Sequence, residues 1–178
     1  MRTELRLSGS GGQGVITAAI ILAQAAVAEG KQAAQSQSYG PEARGGASKS
    51  EVIIDDEPIY HPHVQTPDIV LAMTQKAADK YYKDLNPDGL LILDDDLVPQ
   101  TPDFPHVVRI PITKLAVEKV GRPLFANIVA LGALVQLTDV VPFAAIKEAV
   151  AKRVPPHTVE QNMKALEIGY EAAKNLKN

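Results

Sequence analysis

Ser8-Gly9-Ser10-Gly11-Gly12-Gln13-Gly14 runs directly into Val15-Ile16-Thr17-Ala18-Ala19-Ile20-Ile21-Leu22. A short extended segment, Glu4 to Leu7, leads into these glycines, and they open into a long helix rich in alanine and isoleucine. Gly9, Gly11 and Gly14 have the G-x-G-x-x-G spacing of a strand–turn–helix unit that cradles phosphate. Glycine lets the backbone turn sharply and approach a ligand with no Cβ in the way, and the first N–H groups of a helix have no internal partners. With the positive end of the helix dipole, those donors suit an anion. The same spacing also serves a tight turn that only packs helix on sheet. Both readings stand at this point.

A dinucleotide site of this type places an Asp or Glu on the ribose about 20 residues after the glycines. Here the second extended segment reads Lys31-Gln32-Ala33-Ala34-Gln35-Ser36-Gln37-Ser38, with no carboxylate before Glu42. That absence argues against a nicotinamide cofactor.

The chain has 178 residues, enough for one well-buried domain over 1–178. Hydrophobic residues make up 46% and charged residues 22%, the balance of a globular protein. Aromatics are only 4%, so Ala, Val, Ile and Leu must build the core. A net charge of −3, with Lys and Arg scattered along the chain, argues against nucleic acid as a partner. Without cysteine there is no disulfide, no thiolate nucleophile and no thiolate ligand for an iron–sulfur cluster. The N-terminus lacks an apolar signal core, which makes the cytoplasm the expected location. The longest apolar run, Leu124 to Leu137, carries Asn127 and Gln136 and is too short for a bilayer, so it is expected to form a buried helix with no membrane role.

The first helix is apolar almost all round, which implies burial on most sides. Gln35 to Gly46 reads as a long polar loop in which Tyr39, Glu42 and Arg44 stand among glycines, a composition suited to recognition. Ser48 to Ile54 alternates, turns at Asp55-Asp56-Glu57-Pro58 and is expected to form a hairpin with Ile59-Tyr60. Asp68 to Met73 and Leu90 to Leu93 are continuous apolar runs, typical of parallel strands covered on both faces. A helix from Gln75 to Lys83, with Thr74 as N-cap, joins them into a βαβ unit. Val107 to Ile110 adds a strand, and from Lys114 onward the chain is helical. The fold class that follows is α/β: a three-layer, Rossmann-like, mostly parallel sheet with a β-hairpin and a helical C-terminal part.

Few side chains suggest catalysis. His61 and His63 lack a third metal ligand nearby, so no metal site is assigned. Asp94-Asp95-Asp96 follow a strand end and read as a solvated turn. No Ser/His/Asp or paired-carboxylate arrangement is present, and no catalytic residue is assigned. Asn127, inside an apolar helix, needs a hydrogen-bond partner.

Gly9-Ser10-Gly11-Gly12-Gln13-Gly14 and Ser38-Tyr39-Gly40-Pro41-Glu42-Ala43-Arg44-Gly45-Gly46 together resemble the gamma subunit of 2-oxoacid:ferredoxin oxidoreductases. The segment Ser48 to Tyr60, Pro67-Asp68, Leu93-Asp94 and the Asn127 helix fall where that family has its elements, so the resemblance covers nearly the whole chain. Its compact length is most similar to the separate gamma chain of 2-oxoglutarate-type enzymes. Indolepyruvate, pyruvate and branched-chain types are the alternatives, together with a stand-alone dinucleotide-binding module.

The resemblance implies an assembly. Thiamine-binding alpha and beta subunits hold thiamine diphosphate with magnesium, and the cofactor attacks the 2-oxo acid and releases carbon dioxide. A delta-type subunit carries iron–sulfur clusters that pass electrons to ferredoxin, and coenzyme A takes the acyl group. None of these cofactors is expected on this chain alone, and the isolated chain is expected to be inactive. A homodimer is a further expectation. The cofactor-binding candidates are Gly9, Gly11, Gly12, Gln13, Gly14, Tyr39, Glu42 and Arg44: the turn is expected to hold an anionic group of coenzyme A, with Arg44 adding a charged fork or else pairing with Glu42.

Overall fold

The structure, a computed structural model, describes residues 1–38 and 46–176. Six strands form one sheet: β1 (Thr3–Ser10), β2 (Gln32–Gln37), β3 (Ala47–Asp55), β4 (Ile69–Ala72), β5 (Leu90–Asp94) and β6 (Val107–Ile110). Their order is β2-β3-β1-β4-β5-β6. The β1–β4, β4–β5 and β5–β6 pairs are parallel, whereas β3 runs antiparallel to both β1 and β2. Five strands therefore point one way and β3 alone points back.

The sequence patterns account for these strands. β4 is buried at all four positions and β5 at its last four, as expected of central strands covered on both faces. β1 extends beyond Leu7 and takes Gly9 and Ser10 into the sheet, where they pair with Ser48 and Ala47. The glycine turn is correspondingly shorter than the glycine run. The expected hairpin between Ser48–Ile54 and Ile59-Tyr60 does not form. β3 has β2 on one edge and β1 on the other, so it has no edge left to offer. Ile59-Tyr60 lies outside the sheet, with Tyr60 81% exposed. The hairpin partner of β3 is β2, in an unbroken register from Gln32–Asp55 to Gln37–Ser50.

Six helices complete the layers: α1 (Val15–Ala28), α2 (Gln75–Tyr81), α3 (Ile112–Leu115), α4 (Ala126–Thr138), α5 (Phe143–Arg153) and α6 (Val159–Leu176). The Thr74 hydroxyl accepts from the Ala77 N–H at 3.3 Å and caps α2, as its sequence position predicts. The sheet face bearing Leu5, Leu7, Val52 and Ile54 packs in one core with α1, α4, α5 and α6; α2 packs with Val70, Ala72, Leu91 and Leu93 on the opposite face. Among the described residues no helix is long and apolar enough to cross a membrane.

α4 is buried without interruption from Ile128 to Val135, so it needs neighbours all round. α6 meets it closely at two glycines. A Cβ on Gly132 would sit 2.1 Å from the Leu166 carbonyl oxygen, and one on Gly169 would sit 1.8 Å from that of Val129. Beneath α2, buried Arg6 donates Nε to Glu51 at 2.7 Å and its fork to Asp84 at 2.5 and 3.0 Å. Burial pushes the Asp84 carboxyl up, but hydrogen bonding and charge from Arg6 outweigh it and hold the group below its ordinary value.

Gly169→Ala is expected to destabilise the chain by about 2–3 kcal/mol through backbone overpacking. Gly30→Ala, at φ 83 in open space, should cost only about 1 kcal/mol for its left-handed backbone. Urea unfolding of both variants gives the comparison.

Candidate functional site

The carboxyl end of β1 delivers Gly11–Gly14, and α1 starts directly behind them. The turn is closed by its own glutamine. The Gln13 side-chain carbonyl accepts the Ser10 N–H at 2.7 Å, the Gln13 N–H bonds the Ser10 carbonyl at 3.2 Å, and Gln13 Nε2 reaches the Met73 carbonyl at 3.4 Å. Gly9 permits this fold-back, because a Cβ there would lie 2.4 Å from Gln13 Oε1. Gln13 thus fixes the turn from within.

Gly14 serves packing with the C-terminal helices. Its φ is 74, and a Cβ would stand 2.6 Å from Asn127 Nδ2. The Asn127 amide donates to the Gly14 carbonyl at 3.2 Å, and its Oδ1 accepts the Ile128 N–H at 2.9 Å. Asn127 has thereby found the partners its position requires. Gly11 and Gly12 are exposed, and a Cβ on Gly12 would meet nothing, so Gly12 leaves open space over the N-terminus of α1.

A cavity of about 290 Å³ opens at this turn. Gly12, Gly14 and Thr17 form one side of it. Leu124, Phe125 and Asn127 form another, and Val154, Pro155 and Thr158 a third. Among the described residues no charged side chain lines it. The apolar walls with a few hydrogen-bonding amides and hydroxyls suit a neutral, partly polar ligand segment. An anion here would rest on the N–H groups of the first turn of α1.

Of the predicted residues, Gly9, Gly11, Gly12, Gln13 and Gly14 are together at the turn, with Gly9 drawn into β1. Tyr39, Glu42 and Arg44 lie outside the described residues. The chain on either side of them arrives at the same sheet edge: the Ser38 N–H bonds the Lys49 carbonyl at 3.2 Å, and Ala47 is the partner of Ser10. Leu124, Phe125, Val154 and Pro155 are site-forming residues that sequence reading missed. They lie more than a hundred residues from the glycines, and no local pattern joins them.

Two acidic and imidazole clusters resolve differently. Asp94 is fully buried, not part of a solvated turn: its carboxylate accepts the Thr113 hydroxyl at 2.5 Å and the Thr113 N–H at 3.2 Å, tying β5 to α3. Burial pushes this carboxyl above its ordinary value, against those hydrogen bonds. His61 and His63 are exposed and their carbonyls accept from Arg2. Among the described residues no group of three or more His, Cys, Asp or Glu is placed to hold a metal.

The profile described as pyruvate ferredoxin/flavodoxin oxidoreductase matches residues 4–172. The chain belongs to that family. It is 50% identical over 181 residues to the 2-oxoglutarate synthase subunit KorC of Methanocaldococcus jannaschii, covering 99% of this chain and 96% of the relative. A crystal structure of a keto/oxoacid ferredoxin oxidoreductase gamma subunit from Geobacter sulfurreducens matches with TM-score 0.92 and 50% identity over 98% of each chain. The pyruvate synthase subunit PorC of Methanothermobacter thermautotrophicus is 33% identical over 98% of this chain and 97% of its own. The resemblance to oxidoreductase gamma subunits, and the α/β fold read from the strand and helix patterns, are borne out. The family member described here is an oxidoreductase subunit, and its relatives are named as subunits in turn.

Gly14→Ala and Asn127→Ala act on one contact. Gly14→Ala should cost about 2 kcal/mol and Asn127→Ala about 1 kcal/mol. The double variant should be more stable than the sum predicts, because removing the amide also removes the clash. Thermal unfolding of the three variants checks this, and strict additivity would mean the contact is not shared.

Proposed function

We propose that this chain is the gamma subunit of a 2-oxoglutarate:ferredoxin oxidoreductase and supports thiamine-dependent oxidative decarboxylation of 2-oxoglutarate to an acyl-coenzyme A in the cytoplasm. The observation that carries the 2-oxoglutarate reading is identity: 50% to the KorC subunit against 33% to the PorC subunit, both over nearly full length. Residues 1–178 act as one domain of that assembly. Thiamine diphosphate, magnesium and iron–sulfur clusters belong to other chains, here alpha, beta and delta-type subunits. The lack of cysteine on this chain supports that division for the clusters.

The contribution of this chain is binding at the interface. The cavity beside Gly12–Gly14, uncharged among the described residues, suits the amide-bearing arm of coenzyme A. Its phosphates, which need cations, are assigned to Arg44, with Tyr39 and Glu42 as further binding candidates. β2 and β1 are like-directed, so residues 39–45 and the glycine turn both follow carboxyl ends of strands, where open α/β sheets bind ligands.

Co-expression with the thiamine-binding and cluster-binding chains should yield a complex that reduces an acceptor when given 2-oxoglutarate and coenzyme A. The chain alone should show no turnover. In the complex, Arg44→Ala should raise the coenzyme A requirement roughly ten- to a hundredfold, matching about 1.5–3 kcal/mol for one charge-assisted contact, and leave the 2-oxoglutarate requirement unchanged. Equal loss for both substrates would assign Arg44 to docking instead, and preference for pyruvate would overturn the substrate reading.

A further inference from the structure

The cavity beside the glycine turn has two polar sides of opposite character. On one, α1 opens with no side chain capping its N-terminus, so the N–H groups of its first turn offer donors without partners inside the helix. The Thr17 hydroxyl lines the cavity from that same turn and makes no hydrogen bond among the described residues. On the other side stands Asn162, from the first turn of α6, only 6% exposed.

The orientation of the Asn162 amide follows from its neighbours. The Thr158 hydroxyl donates to the Pro155 carbonyl at 2.8 Å, which leaves its oxygen to accept. The Thr158 carbonyl can only accept. Asn162 Nδ2 meets both, the carbonyl at 3.0 Å and the hydroxyl at 3.1 Å, and so spends its two hydrogens within the chain. Asn162 Oδ1 is left with no donor among the described residues. An oxygen on so buried a side chain takes its donor from whatever fills the cavity it borders.

We propose that Asn162 Oδ1 accepts the N–H of a neutral secondary amide in the ligand, whose carbonyl turns toward Thr17 and the first turn of α1. A trans amide points its N–H and its C=O in opposite directions, so one group serves both sides. A carboxylate or phosphate set against Oδ1 would meet a second acceptor with no proton between them. The α6 side therefore turns anions away, 2-oxoglutarate with its two carboxylates included, and admits an uncharged amide-bearing arm. The assignment rests on the coenzyme A reading of this cavity and adds the residue that selects the arm and the atom that does so.

Calorimetric binding to the assembled complex tests this with coenzyme A and two analogues, each carrying an ester oxygen in place of one amide nitrogen of the arm. In the natural complex one analogue should bind about tenfold more weakly than coenzyme A, because its oxygen cannot donate to Asn162. Asn162→Ala should weaken coenzyme A by a similar factor and then bind coenzyme A and that analogue alike. A merely structural role for Asn162 would not produce that coupling. If circular dichroism shows Asn162→Ala unfolded, Asn162→Leu keeps the volume and replaces it. Gly12→Leu puts a side chain into the open space over α1 and should also weaken coenzyme A. If it does, but both analogues bind as coenzyme A does or the Asn162 and ester effects simply add, the assignment to Asn162 falls and the coenzyme A reading stands. If Gly12→Leu leaves coenzyme A binding unmoved, or the complex binds none, the coenzyme A reading falls and takes this assignment with it.

Discussion

Gly14 has to adopt a positive φ and carry no Cβ, because the Asn127 amide occupies the space a side chain would need. The contact joins residues 113 positions apart and fixes where α4 begins relative to α1. Without it the cavity would lose the geometry between its glycine side and its Leu124–Phe125 side. The glycine spacing that resembles a phosphate loop is thus first a docking constraint. Asn127 spends one amide hydrogen on the turn and uses its carbonyl to hold the first turn of its own helix, so one side chain orients both elements.

The first half of α4 is held by close backbone packing. Gly132 and Gly169 bring α4 and α6 into backbone contact, and α6 contributes Asn162 to the cavity wall, where its amide donates to the Thr158 carbonyl and hydroxyl at 3.0 and 3.1 Å. The far wall of the site is therefore as rigid as the α4–α6 packing. Polar groups at the sheet's carboxyl edge work in the same way: buried Asp94 fixes α3 to β5, and Gln13 fixes the turn to the end of β4. The rim of the cavity is set by hydrogen bonds from below and by close helix packing from the side.

The sequence made the strands and most helices legible because burial on both faces leaves continuous apolar runs, as in Leu90–Leu93, and because Thr74 and Gly30 mark helix ends. It misled where pairing is a long-range decision. Ile59-Tyr60 has strand-like residues, yet both edges of β3 are filled by strands from elsewhere in the chain. Asp94 looked solvated beside two other aspartates, and only the return of Thr113 nineteen positions later shows why it is buried. Half of the candidate site was visible as glycines. The other half, Leu124, Phe125, Val154 and Pro155, is ordinary apolar sequence that acquires a role only by folding against the turn.

Among the described residues the cavity is lined by glycine backbone, amides, hydroxyls and hydrocarbon, with no group able to take up electrons or to activate a carbon acid. Such a lining can orient a ligand, which accords with the binding role proposed for this chain. Under the proposed function, a neutral slot would favour a long ligand arm whose charged end is met beyond the slot. The close packing of α4 and α6 behind it would serve that proposed role, since a wall that yields would lose ligand orientation.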